Sequence, residues 1–357
     1  MMRLFNILFL FVGLAVSAQP SGKDHQTEGA ADLIFSNPEK SARISEKAFL
    51  DARNYNEKIT ALSRLVNAQM VLGDISQVIN NCVKGISLSK EKNDKINQIR
   101  FLSMLGNQYQ QLNMNNEAKK NLDEAENLIN AIDLPKDLLF IKGNVYNVKG
   151  IVFKNELNCE FAVKYFDKAL DVYNKLPSED VVTTNKLLID IQKAVCLESL
   201  GHSGEAESIY QMILKSNNPG IGYNKYFASV GLADIYLKRN EVDKADKVLQ
   251  TINVKEFSSY DSELTGFFFK LKAQSSYLKR DSKSYLYYFE RYNENLMQIS
   301  KSQNQIISRL VKNENQNFSE ESNKSLMRNV VVFLILLILF SIFLMFFHHY
   351  LRKKAIM

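Results

Sequence analysis

Through the middle of the chain, apolar residues recur at spacings of three and four, the period of a helix with one face turned inward. Leu138, Ile141, Val145, Val148 and Val152 keep that spacing. Shorter sets share a fixed order of small, aromatic and bulky positions. Gly106 and Tyr109 precede Ala118, Leu122 and Ala125, and Gly150 and Phe153 precede Ala162, Phe166 and Ala169. Ala194 and Leu197, then Gly201, precede Ala206, Tyr210 and Ile213, and Ala233 and Tyr236 precede Ala245, Leu249 and Ile252. The pattern predicts an all-α array of antiparallel helix pairs. Small residues mark where two helices cross closely, and bulky ones fill the gap beside them. Pro135, Ser178, Pro219 and Ser259 mark helix starts.

These sets resemble tetratricopeptide (TPR) repeats, whose first helix carries a small residue and an aromatic and whose second carries Ala, a bulky residue and Ala. The spacing departs from the family period of about 34 residues. Ala118 to Ala162 is 44, Ala162 to Ala206 is 44, and Ala206 to Ala245 is 39. The extra residues are expected to lengthen the first helix of each pair. Weaker copies flank the core. One runs from Leu65 to Gly85 with Gly73 at its turn, a half copy opens at Asn37-Pro38-Glu39, and an aromatic-rich one runs from Tyr277 to Tyr292. The likeness covers residues 31–300.

The resemblance implies a TPR-like superhelical solenoid, whose concave groove, lined by the first helices, takes a protein or peptide partner. Arg100, Asn107 and Gln110 on one repeat, and Asn144, Asn147 and Lys154 on the next, are the candidate groove residues. Asn side chains offer a peptide both a donor and an acceptor, and Arg100 and Lys154 would meet carboxylates. The Lys-and-Asn clamp that some family members use for a terminal carboxylate is not reproduced, because Ser103 stands where its first Lys is expected.

Both ends are apolar. Leu4 to Val16, preceded by Arg3 and followed by Ser17-Ala18, predicts a cleaved signal peptide over 1–18, since 13 residues rise only ~20 Å. A polar linker, 19–30, follows. Val330 to Phe347 is broken only by Ser341 and predicts a transmembrane helix over 329–351. Arg352, Lys353 and Lys354 in the tail 352–357 place that end in the cytoplasm by the positive-inside rule. The expected localisation is therefore a bacterial inner membrane, crossed once, with the array in the periplasm. Within 289–328, Phe289, Tyr292, Leu296, Ile299, Gln303, Ile306 and Leu310 keep a 3-4 spacing. That stripe predicts a juxtamembrane helix over 301–328, entered from the end of the array, which either pairs with a second copy or caps the solenoid.

Charge and chemistry narrow the function classes. Forty-five basic and 39 acidic residues give a net charge of +6, too mixed for a nucleic-acid footprint. Three cysteines, Cys82, Cys159 and Cys196, form no CxxC, read as buried thiols, and leave open whether two of them meet. Of four histidines none stands at ligand spacing from a Cys or carboxylate, and there is no phosphate loop or nucleophile elbow. No metal, cofactor or catalysis is expected. The reading is a membrane-anchored protein-interaction scaffold. The alternative, from its layout, is the sensory portion of a transmembrane regulator whose output domain is missing or on a separate chain.

Overall fold

The computed structural model describes residues 33–34, 36–177, 180–216, 222–258, 261–309, 311–312 and 327, and every regular element among them is helical. The helices are α1 (Pro38–Asp51), α2 (Tyr55–Val71), α3 (Ile75–Glu91), α4 (Lys95–Gln111), α5 (Asn115–Asn130), α6 (Leu139–Asn155) and α7 (Cys159–Tyr173). There follow α8 (Asp180–Ser199), α9 (Ser203–Lys215), α10 (Gly222–Lys238), α11 (Val242–Gln250), α12 (Ser262–Leu278) and a last helix, α13, from 282 to the end of the array at 303. The array closes as one unit at Gln303; residues 304–357 form a second, in which 304–309 are helical.

The even-numbered helices from α2 to α12 are first members of pairs and the odd-numbered ones from α3 to α13 are second members. The two kinds of helix are built differently. Second helices bury one stripe: Ala118, Leu122, Ala125 and Ile129 on α5, and Ala206, Tyr210 and Ile213 on α9. First helices are buried nearly all round, as α6 is from Phe140 to Lys154. The reason is position. Each helix packs on its chain neighbours, and α4, α6, α8, α10 and α12 also touch in series, so they form an inner layer.

The turns within pairs repeat one backbone device. Seven residues after the small position, which Val66 occupies in the first pair, the chain turns left-handed: Gly73, Asn113, Leu157, Gly201, Asn240 and Arg280. At each, two N–H groups return to the helix just ended, as Asn113 N does to Gln110 O and Met114 N to Tyr109 O. This closure satisfies carbonyls that the helix end leaves orphaned. The next residue often caps the second helix. Asp74 accepts from Gln77 N at 3.2 Å, and Asn158 from Phe161 N at 3.3 Å.

The lengthened period lies elsewhere than expected. The pair α4 and α5 has 17 and 16 residues, and α6 and α7 have 17 and 15. Extra length is therefore shared between the two helices and taken up by connections such as Ala131–Leu138, which holds a 3₁₀ turn. The first helix is clearly the longer in two pairs, α8 with 20 residues against 13 in α9 and α10 with 17 against 9 in α11. Pro135 does open the turn before α6, whereas Ser178, Pro219 and Ser259 lie outside the described residues.

The expected inner-membrane localisation is corrected. Among the described residues no helix is long and apolar enough to cross a membrane. The most enclosed of them, α6, is covered by other helices and carries Lys142, Lys149 and Lys154. The segments 1–18, 19–30, 329–351 and 352–357, on which the leader, linker, span and tail expectations fell, lie outside the described residues, as does 313–326 of the spacer. In α13 the inward stripe is Tyr285, Tyr288, Tyr292, Asn295 and Ile299, and Leu286, Phe289, Leu296 and Met297 are exposed.

Two substitutions test this account by urea unfolding. A Cβ at Gly150 would stand 2.5 Å from the ring of fully buried Phe166, so Gly150→Ala should destabilise by about 1–3 kcal/mol. Leu157 sits at φ +63° with 63% of its surface exposed. Relieving ~1–2 kcal/mol of left-handed strain outweighs the added entropy of a glycine, so Leu157→Gly should raise the midpoint.

Candidate functional site

The inner layer gathers polar side chains in protein surroundings, and their partners divide them by role. Lys149 on α6 is 5% exposed; its amine donates to Asp123 Oδ1 at 2.6 Å and to Glu126, and lies 4.9 Å from the Tyr165 ring centre. One repeat later Lys193 donates to Asp167 Oδ1, again at 2.6 Å. Both lysines precede the small residue of their helix, so this is a repeated bracket between pairs.

Of the six groove residues expected from the sequence, five are buried and only Arg100 is half-exposed. They do not form an open, solvated face, because the first helices pack side by side. Arg100 Nη1 donates to Asn97 Oδ1 at 3.1 Å. Asn144 is a structural residue: its Oδ1 accepts from the Tyr173 hydroxyl, which itself accepts from Asn185 Nδ2 at 3.3 Å. That chain of contacts ties α6, α7 and α8 together. Gln110 is fully buried on α4.

Asn107 and Asn147 differ from these. Each is 0% exposed, and neither amide oxygen nor nitrogen of either residue meets a protein partner. They stand on α4 and α6, first helices that touch. Ser103 Oγ on α4 and Asn67 Oδ1 on α2 are orphaned in the same way. These two were missed as site residues, yet a register signal marks them. Asn67 and Asn107 each follow the small position by one residue, and Ser103 and Asn147 each precede it by three. On α8 the same positions hold Ile191 and Val195, and on α10 Val230 and Asp234, the last buried but paired with Lys238 at 2.8 Å. The orphaned ladder therefore belongs to the first three pairs.

Lys154 ends the polar row. It is 6% exposed and its amine donates to Gln192 Oε1 of α8 at 2.5 Å. Burial brings its pKa down to about 8 from 10.5, against the fields of Cys196, Glu263 and Cys159. Among the described residues no group of three His, Cys, Asp or Glu side chains is placed to hold a metal ion.

The lysine shift carries a stability consequence. A folded pKa below the unfolded one means the folded state disfavours the cation. The cost is full below about 8 and disappears as pH rises to 10.5. In a Cys159→Ser background, which removes a thiol titrating nearby, stability should climb across that window by on the order of 3 kcal/mol. Adding Lys154→Met should abolish the climb. Parallel pH profiles for the two proteins, from urea unfolding, would show that Lys154 is not the responsible group.

No protein-family model matches the chain, and none of the curated protein sequences does. Solved structures do. The apo form of RapI is 14% identical with a TM-score of 0.54, over 78% of this chain and 76% of that one. A Rap protein complexed with Competence and Sporulation Factor is 12% identical with a TM-score of 0.49, over 78% of this chain and 98% of that one. A tetratricopeptide repeat protein from Parabacteroides merdae is 14% identical with a TM-score of 0.47, over 76% and 98%. With the paired helices, the small positions and the repeated left-handed turns, the likeness to RapI makes the chain, by fold, a TPR-like helical-repeat protein.

Proposed function

We propose that this chain is a protein-interaction scaffold that holds an extended segment of a partner protein against the first helices of its first three pairs. The observation that carries the reading is the pair Asn107 and Asn147, enclosed on touching helices with four amide atoms that meet no protein partner. An unsatisfied buried polar group costs about 1–3 kcal/mol. A fold that keeps several of them in register has a use for them. A peptide unit supplies one N–H and one C=O, the complement of one Asn amide. Sequence-independent backbone contacts of this kind suit capture of an extended chain, and the partly buried Arg100 beside Asn97 would meet an acidic side chain.

Entry requires the α4–α6 interface to part. A solenoid allows this, because each repeat contacts only its neighbours and one interface can open without the rest. Lys154 supports the enclosed arrangement rather than an exposed one. A charge reversal there would test folding, so it is a poor probe of binding.

Asn107→Leu with Asn147→Leu separates structure from function. The two replacements keep the shape and remove the orphaned groups, so stability should hold or rise. Peptides selected on the wild-type chain from a displayed random library should bind the double variant at least about tenfold more weakly. Equal affinity in a folded double variant would remove the inner-layer amides from recognition.

A further inference from the structure

Two joints of the array set two carboxylates on one lysine, and they differ in which partner meets water. Between α5 and α6, the Lys149 side chain is 6% exposed and holds Glu126 and Asp123, the latter 55% exposed. Between α8 and α10 the arrangement is inverted. Glu198 of α8 and Asp234 of α10 keep 6% and 5% of their side-chain surface, and the lysine they share, Lys238 at the end of α10, keeps 47%. Lys238 Nζ donates to Glu198 Oε1 and stands 2.8 Å from Asp234 Oδ2. Oxygens held by one nitrogen are close neighbours, so two enclosed carboxylates share a single cation. A third group adjoins them. Tyr210 of α9 is fully buried and its hydroxyl meets no protein partner. That hydroxyl lies against α10, since a Cβ at Gly231 would stand 2.7 Å from it. Asp234 follows Gly231 by three residues, and helical side chains lean over the turn before their own, so its carboxylate extends toward the same place.

Two enclosed negative charges against one positive leave the joint unbalanced, and a like charge nearby disfavours ionisation of a carboxyl group. Glu198 shows the effect. Burial raises its pKa above the ordinary 4.5, the Lys238 hydrogen bond opposes the rise, the Asp234 field adds to it, and the Arg239 field opposes it again. The remaining charged groups on the helices packed around the joint are engaged elsewhere. Lys154 of α6 is held by Gln192, and Asp167 of α7 by Lys193. On α9 Glu207 is taken by Arg239 at 2.6 Å, and His202 before it pairs with Glu205 at 3.1 Å. Glu241, at the start of α11, pairs with Lys244 at 2.5 Å, and Asp246 of α11 pairs with Lys279 at the end of α12.

We propose that Glu198, Asp234 and Lys238 form an acid-operated clasp between the fourth and fifth helix pairs, which tightens when Glu198 takes up a proton and slackens when it loses it. The proton removes one of the two enclosed negative charges. The remaining carboxylate and Lys238 are then balanced, and the new O–H of Glu198 donates to Asp234. A folded pKa above the unfolded one means that the clasp adds stability in full below about 4.5 and loses it as pH rises through the folded value. The usual carboxylate ion pair does the opposite, since acid breaks it. Each pair contacts only its neighbours, so this joint can loosen while the rest of the array holds. The clasp owes nothing to the peptide-binding reading, because α8 and α10 lie beyond the first three pairs and it makes no use of Asn107 or Asn147.

Hydrogen exchange of the full chain tests the clasp, read by mass spectrometry on peptides of α8 and α10 and corrected for the intrinsic rate at each pH. Glu198→Gln mimics the protonated acid. At about pH 7 its α8 and α10 should open at least about threefold less often than those of the wild type, and toward about pH 5 the gap should close. Asp190, raised to about 6 by burial on the same helix, titrates in this window in both proteins and drops out of the comparison. Asp234→Asn relieves the same imbalance and should likewise flatten the pH dependence of the two helices. The clasp is overturned if Glu198→Gln keeps the full wild-type pH dependence, or if its α8 and α10 open as readily as the wild type's at about pH 7. Should Glu198→Gln fail to fold, Asp234→Asn decides: a profile parallel to the wild type overturns the clasp, and a flatter one supports it.

Discussion

Within each pair the two helices cross where one of them has almost no side chain, and the rest of the architecture follows from how close that crossing is. A Cβ at Gly106 would stand 2.6 Å from Leu122, and one at Gly143 would stand 2.7 Å from Tyr173. The same device joins neighbouring pairs, where Gly85 faces Phe101 and Gly231 faces Tyr210. At Gly106, Gly143 and Gly231 bulky side chains of second helices press onto the backbone of first helices, and at Gly85 the roles are exchanged. The first helices are left with little surface, and every polar residue on them must find a partner in protein. Interiors packed this closely leave no slack for a misplaced group.

Most of those polar residues do find one. Asn144 is answered by Tyr173, Lys149 by Asp123 and Glu126, and Lys154 by Gln192. Breaking such a pair strands a buried group, which is why these contacts fix register even where their net contribution is small. Asn107, Asn147 and Ser103 stand apart because the equivalent residues of α8 and α10 are Val or Ile or, at Asp234, a buried carboxylate that Lys238 answers at 2.8 Å. The chain thus changes character along its length. The C-terminal pairs are lined by a conventional apolar core, with Leu188, Ile191, Phe227 and Val230 buried. The N-terminal pairs keep unmet hydrogen-bonding capacity in the same layer.

The repeat was legible in the sequence because it is a local, one-dimensional signal. Ala118, Ala162, Ala206 and Ala245 were placed by pattern and all are fully buried. The candidate groove was legible only in part. Polarity and helical register singled out six residues alike, but residue types on a first helix do not say whether the neighbouring first helix closes over them. Asn144 and Lys154 look like Asn147 in sequence, and only the hydroxyl of Tyr173 and the amide of Gln192, 29 and 38 residues away, separate their roles. The membrane expectation came from hydropathy at the ends alone, and the array itself gives it no support.

One further regularity bears on how an array of similar parts assembles in order. The residue after the first Ala of each second helix faces the residue six beyond the small position of the following pair. At three of four successive interfaces the two are opposite charges. Lys119 meets Glu156 at 3.3 Å, Glu207 meets Arg239 at 2.6 Å, and Asp246 meets Lys279. The polarity of the first is reversed relative to the other two. The remaining interface has Val163 and Leu200 at those positions. Each pair is partly solvated and adds little stability. Their value lies in what they forbid. If α5 docked in the place of α9, Lys119 would face Arg239; if α9 docked in the place of α5, Glu207 would face Glu156. Repeats alike enough to be recognised are alike enough to be exchanged, and a charge inverted at one interface, with no charge at the next, makes the wrong neighbours repel or leaves a charge unmatched while the right ones attract.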